Sequence, residues 1–392
     1  MKLKFIILSM AMLTLASTAI SQTSQLRRGK TSYEKYADVK ALGSAQLGIA
    51  DLKAAETALS RAIEHDRTKD LAETWVFYAL VQADMALVDE TEVGTAAYAT
   101  AKEARQKAME LDTDGAQAPN LELLNFLLAQ YELNQGVAAW DLEDFATAYT
   151  AFDRGGEYLP GDTTFLFYAG LAAVQTQDYK NALAKYEQIV PIDSFSNHKQ
   201  IMLDISRIYV MEGDTAKAIQ FANMGREQYP EDGEMANQYI ELNLMAGKET
   251  EVISTIESQV ARDPSNKTLH YYLGLAYNAT GDYEKAEAAY KAALAVDPEY
   301  VDANINLGGL ILNRGIDHWN VTNNERDITQ QQYDAQILVA QGIFDEAYPY
   351  LQKAVDTDNT NYIALSNLQK YYQIKDDQEK VDELQRMIDA LN

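Results

Sequence analysis

An all-α fold, a right-handed superhelical solenoid of about nine antiparallel helix hairpins, is the class this 392-residue sequence predicts, and three observations carry it. Pro230, Pro264 and Pro298 stand 34 residues apart, and Gly213, Gly247, Gly281 and Gly315 keep the same interval. Between them, small and aromatic residues recur at helical spacing. A period of this length marks helical hairpins that bury apolar surface against neighbouring copies, because one hairpin alone cannot cover its apolar face. No Gly/Ser-rich or low-complexity linker interrupts the chain, so the repeats predict one continuous body.

From the N-terminus, Lys2 and Lys4, the apolar run from Phe5 to Ala16 and the small-residue site Ala19-Ile20-Ser21 predict a signal peptide over 1–21, leaving Gln22 as the mature start. Residues 22–34 are expected to be a flexible segment, with the solenoid filling 35–392. Gly43, Ala55, Leu59 and Ala62 mark a first hairpin. Trp75, Tyr98, Ala101 and Ala108 mark a second, with extra residues around Val88 to Gly94. Gly136, Phe145, Ala148, Phe152, Gly155 and Pro160 form the next, followed by Gly170, Tyr179, Ala182 and Tyr186. Gly213-Asp214 with Ala218 and Pro230, then Gly247 with Pro264, continue the frame.

The clearest copy runs from Thr268 to Pro298. Gly274 permits close approach of its two helices, Gly281-Asp282 makes the turn, and Tyr283, Ala286, Tyr290, Ala293 and Leu294 pattern the second helix. Leu307-Gly308 repeats Leu273-Gly274 in the following copy. Residues 316–342 then add 27 residues to the frame before Phe344, Ala347, Leu351 and Ala354 restore it, which predicts one lengthened hairpin with its turn at Thr322-Asn323-Asn324. A degenerate pair from Tyr362 to Leu391 closes the array.

At the small, aromatic and proline positions of the Thr268–Pro298 copy the sequence resembles the tetratricopeptide repeat, with His270 where that family often has Trp. With its export signal and lengthened hairpin, the chain is similar to exported tetratricopeptide proteins of Bacteroidetes. The resemblance implies that the first helix of each hairpin lines a concave surface. Counted from the glycine frame, that lining is Phe167, Leu171, Leu203, Arg207, Asn237, Glu241, Tyr271, Leu275, Ile305 and Gly309. The Lys/Asn/Arg set with which some members clamp a C-terminal carboxylate is not reproduced. A mixed apolar and polar lining suits an amphipathic helix or an extended segment of another protein. In the lengthened hairpin Trp319, Tyr333 and Ile337 are the candidate contacts. Two readings of that insertion stand: it meets a partner, or it braces the C-terminal cap.

Chemistry-bearing constellations are missing from the sequence. The four histidines, His65, His198, His270 and His318, have no zinc-site spacing, and His270 falls at a packing position that predicts a core residue. Gly247-Lys248 fails as a phosphate loop because Leu242 replaces the leading glycine and Glu249 follows the lysine. With no cysteine there is neither a thiol nucleophile nor a disulfide. No enzyme, cofactor or metal is therefore expected. The net charge of −26, or −28 once Lys2 and Lys4 leave with the signal, disfavours nucleic acid as a partner. The expected role is a periplasmic protein–protein interaction scaffold for envelope assembly or secretion, binding envelope or secreted proteins, with no transmembrane segment and at most peripheral association with outer-membrane complexes. Glycan binding or polysaccharide export, using the 25 tyrosines for stacking, is the alternative.

Overall fold

The computed structural model describes residues 24–89 and 91–391; the signal-peptide expectation for 1–21 lies outside them. The described residues form eighteen α-helices and two short 3-10 turns, which pair in chain order into nine hairpins, and no strand is present among them. The all-helical hairpin architecture is as the repeats predict. The chain divides into two compact units, up to Phe195 and from Ser196. The boundary falls in the irregular stretch that holds Pro191, after the eight-residue helix Tyr179–Tyr186.

The first unit holds α1 (Ser24–Ala41), α2 (Ile49–Ala62), α3 (Ala72–Val88), α4 (Glu92–Leu111), α5 (Ala118–Asp141), α6 (Phe145–Tyr158), α7 (Thr163–Gln175) and α8 (Tyr179–Tyr186). The segment expected to be flexible, 22–34, is helical from Ser24, because Leu26, Tyr33 and Tyr36 on one face of α1 bury themselves against α2 and α3. Two buried carboxylates fasten this unit. Asp84 of α3 accepts hydrogen bonds from Tyr33 Oη at 2.8 Å and Tyr36 Oη at 3.5 Å, and pairs with Lys40 Nζ at 2.5 Å. Glu132 of α5 accepts from Tyr98 Oη at 2.5 Å and lies 3.8 Å from Arg154 Nη1. Burial raises the Glu132 carboxyl above the usual range, with Tyr98 and Arg154 opposing.

The second unit holds α9 (His198–Met211), α10 (Thr215–Gln228), α11 (Gly233–Met245), α12 (Ile253–Arg262), α13 (Lys267–Ala279), α14 (Tyr283–Val296), α15 (Val301–Asn324), α16 (Gln330–Thr357), α17 (Tyr362–Ile374) and α18 (Gln378–Asp389). Gly213, Gly247 and Gly281 each take φ near +70 to +80°, the left-handed conformation that ends a first helix and admits glycine without a Cβ clash. Gly315 shares their interval and not their conformation. It lies inside α15, where a Cβ would stand 2.6 Å from Phe344 Cε1. The helices α15 and α16 run 24 and 28 residues, and their turn is 325–329, not Thr322-Asn323-Asn324. Those three residues stay helical, and the side chains of Thr329 and Gln332 form a reciprocal capping box that starts α16. Arg314 of α15 reaches Glu287 of α14 at 2.5 Å and Glu346 of α16 at 2.8 Å, tying three successive helices together.

Candidate partner-binding face of the first helices

Four of the first helices start at a short polar cap. Asp162 accepts from Thr164 N at 2.8 Å, Asp232 from Glu234 N at 3.0 Å, Asn266 from Thr268 N at 3.1 Å and Asn361 from Ile363 N at 3.0 Å. Each cap satisfies backbone N–H groups of the first turn of its helix, while α9 and α15 start without a side-chain cap.

In the second unit these helices touch through a ladder of polar contacts. Between α9 and α11, Gln238 Nε2 donates to Leu203 O at 3.0 Å and Arg207 Nη2 meets Glu234 Oε1 at 3.1 Å. Arg207 also lies 3.5 Å from Asp204, a carboxylate that burial raises against the pull of Gln200 and Arg207. Between α11 and α13, Tyr272 Oη donates to Glu241 Oε1 at 3.0 Å. Between α13 and α15, Asn306 Nδ2 donates to Tyr271 Oη at 3.2 Å. The Tyr271 ring sits 5.3 Å from that of Tyr300, and burial pushes its hydroxyl up to about 12. The last rung brings Asn367 of α17 against Gly309, where a Cβ would stand 3.2 Å from Asn367 Nδ2.

Of the ten residues expected on this surface, Arg207 and Glu241 are exposed, and Phe167, Leu171, Asn237, Tyr271, Leu275 and Gly309 are half-buried. Leu203 and Ile305 are corrections. They are 0% and 6% exposed, so neither is open to a partner. A first helix packs against its own hairpin partner and against both adjacent repeats, and apolar residues at its flanks are consumed by those contacts. Phe167 and Leu171 belong to the first unit, where the Phe167 ring packs on Tyr168 and Phe195 at 5.3 and 5.6 Å. Sequence reasoning missed Glu234, Gln238, Tyr272 and Asn306. Their signal was present: each is polar or amphipathic and lies about one repeat from its bonded partner.

The end of the α15–α16 hairpin is the other open surface. Trp319 is 46% exposed and Val321 67%, both on α15; Leu338 and Val339 of α16 are 67% and 49% exposed. Tyr333 Oη donates to Asn323 Oδ1 at 2.8 Å, joining the two helices near their turn, while Ile337 is half-buried.

Neither surface gathers reactive groups. His198, not His270, is the core histidine: it is 1% exposed with Nδ1 2.7 Å from Tyr229 Oη, whereas His270 is half-buried with Nε2 2.9 Å from Pro264 O. Its position in the first turn of α13 brings the ring back over the preceding loop. Among the described residues no three His, Cys, Asp or Glu side chains converge as a metal site, and no helix is long and apolar enough to cross a membrane.

The nine hairpins define a helical-hairpin repeat protein. Family models described as tetratricopeptide repeat match residues 133–197 and 268–300. The chain is similar to the TPR repeat-containing protein YpiA of Bacillus subtilis, 26% identical over 194 residues covering 47% of this chain and 44% of that protein. It is also similar to the intraflagellar transport protein 88 homolog of Homo sapiens, 29% identical over 126 residues covering 31% and 15%. The chain thus spans less than half the length of these curated relatives. Among solved structures it is similar to the C-terminal part of a TPR repeat-containing protein from Cytophaga hutchinsonii, at TM-score 0.48 and 17% identity over 66% of this chain and 95% of that one. It is similar too to YrrB, described as a TPR protein with an unusual peptide-binding site, at TM-score 0.37 and 18% identity over 48% and 93%.

Proposed function

We propose that this chain is a non-catalytic scaffold of the periplasm that holds cell-envelope assembly or secretion proteins. The observation that carries the reading is the ladder on α9, α11, α13 and α15, which fixes neighbouring helices to one another and still leaves Arg207, Glu234 and Glu241 exposed at its edge. A surface already held in place lowers the ordering cost of binding, so affinity can come from modest contacts. Among the side chains of the ladder contacts, the carboxylates Asp204, Glu234 and Glu241 outnumber the Arg207 guanidinium. The segment it accepts therefore carries lysine or arginine among apolar residues. Trp319 and its neighbours at the hairpin end supply a second contact. The signal-peptide pattern read over 1–21 and the cysteine-free composition support the location.

The test is affinity purification of the mature protein from its native envelope after mild crosslinking, beside a variant lacking Ile316 to Gln341 and the double variant Glu234→Ala/Glu241→Ala. A specific set of envelope proteins, lost in the double variant and reduced by the deletion while circular dichroism stays helical, is the expected result. No enriched protein in the unaltered sample, together with retention of the chain on a polysaccharide matrix, would replace this reading with glycan handling.

A further inference from the structure

Between α10 and α12, on second helices and away from the ladder, lies an open depression of about 260 Å³ lined by Arg226, Pro230, Ser254, Thr255, Ser258, Gln259 and Arg262. In a chain of net charge −26 its lining holds two guanidinium groups and no carboxylate. Ser254, Ser258 and Arg262 follow one another at four-residue steps along α12, with Thr255 and Gln259 beside them, so one helix face presents a stripe of hydrogen-bond donors.

The two arginines are already oriented. Arg226 lies 4.6 Å over the ring of Tyr239 and donates from Nη2 to Asn223 Oδ1 at 2.7 Å. Arg262 donates from Nη1 to Pro230 O at 2.6 Å. Yet Arg226 Nε is buried and has no hydrogen-bond partner, and Gln259, nine-tenths buried, faces the same depression. That atom is closed to solvent, so an acceptor entering the depression meets the part-exposed guanidinium groups of Arg226 and Arg262 at their remaining donors. Carboxylates do approach from the rim: Glu231 is 3.0 Å from Arg262 Nη2 and Glu227 is 4.0 Å from Arg226 Nη2. Their side chains are 83% and 64% exposed, and pairs so open to water contribute little and exchange readily.

We propose that this depression binds a tetrahedral oxyanion, a phosphate group either free or carried on a small phosphomonoester. Guanidinium forks match phosphate oxygens with paired donors, and the hydroxyls of Ser254, Thr255 and Ser258 satisfy the remaining lone pairs. The site is independent of the scaffold reading, since no ladder residue lines it.

Calorimetric titration of the mature protein with inorganic phosphate and with glycerol phosphate, at ionic strength held constant with chloride, tests the assignment. Saturable binding at one site is expected, weakened at least about tenfold by R262Q and again by R226Q. Because Arg226 packs on Tyr239, the partly exposed Arg262 is the decisive position, with folding of R262Q verified by circular dichroism. Binding of both ligands assigns the site to the phosphate group itself; binding of glycerol phosphate alone assigns it to the ester. Heat no greater than that of added chloride, or binding undiminished in R262Q, would overturn the proposal.

Discussion

Gly274 lies directly beneath the ring of Tyr290: a Cβ built on the glycine would stand 2.4 Å from both Cδ1 and Cε1 of the tyrosine. The same relation joins Gly136 to Phe152 and Gly170 to Tyr186, at 2.4 and 2.3 Å, so it is the recurring joint of the hairpins. Both partners are buried and the ring has no room to withdraw. Gly274→Ala should therefore destabilise the protein by about 1–3 kcal/mol, read as a lower denaturation midpoint with an unchanged denaturant slope. A melting curve superimposable on the parent would refute the joint.

Tyr290 itself offers a change of opposite sign. Its hydroxyl is buried without a hydrogen-bond partner, while its ring fills the joint. Tyr290→Phe keeps the ring and removes the stranded polar atom, and should leave stability unchanged or raise it by up to about 1 kcal/mol. A loss of stability would mean that the hydroxyl is bonded in solution.

The turn after α7 holds Gln177 at φ +59°, an exposed residue in the conformation that Gly213, Gly247 and Gly281 occupy elsewhere. A left-handed non-glycine residue carries a steric cost that exceeds the extra entropy glycine brings to the unfolded chain. Gln177→Gly should stabilise by about 0.5–1 kcal/mol in chemical denaturation; a loss of stability would show that the side chain of Gln177 holds the turn.

These positions explain what the sequence disclosed. Where the left-handed turn is glycine the hairpin boundary reads directly; at Glu143, Gln177 and Asp376 the same backbone is built from other residues and leaves no compositional mark. Gly315 preserved the interval while serving a helix contact, so periodicity alone could not separate turn from joint. The candidate face was half legible for a related reason. The repeat frame selects the helix that faces inward, but Leu203 and Ile305 are drawn into contacts with adjacent repeats, leaving the polar neighbours Glu234, Gln238 and Asn306 to form the ladder. Acidic residues also have local structural roles that net charge does not disclose: Asp144, Asp178, Asp214, Asp282 and Asp377 cap second helices.

Glu132 gives a pH dependence whose sign follows from burial. Its carboxyl is raised above the ordinary 4.5, so between that value and its folded value the native state holds a proton that the unfolded chain has lost. This group's contribution to stability is greatest at acid pH and declines as pH rises through the raised folded value. Glu132→Gln retains an oxygen to accept from Tyr98 and cannot ionise. Denaturation midpoints across the mildly acidic to neutral range should fall with rising pH more steeply in the parent than in the variant; parallel profiles would show that Tyr98 and Arg154 fully offset the burial.

Trp319 separates the two readings of the lengthened hairpin. At 46% exposure it has lost only part of its surface to the protein, and Val321, Leu338 and Val339 at the same hairpin end are at least as open. If that end braced the terminal cap, removing the indole would destabilise by several kcal/mol, as for a core aromatic. An exposed contact for a partner predicts otherwise: Trp319→Ser should shift stability by about 1 kcal/mol or less. The same change, combined with Leu338→Ser, should abolish the crosslinks formed by the hairpin end while sparing those that depend on Glu234 and Glu241. A large drop in the melting midpoint of Trp319→Ser alone would return the hairpin to a structural role and confine partner binding to the ladder.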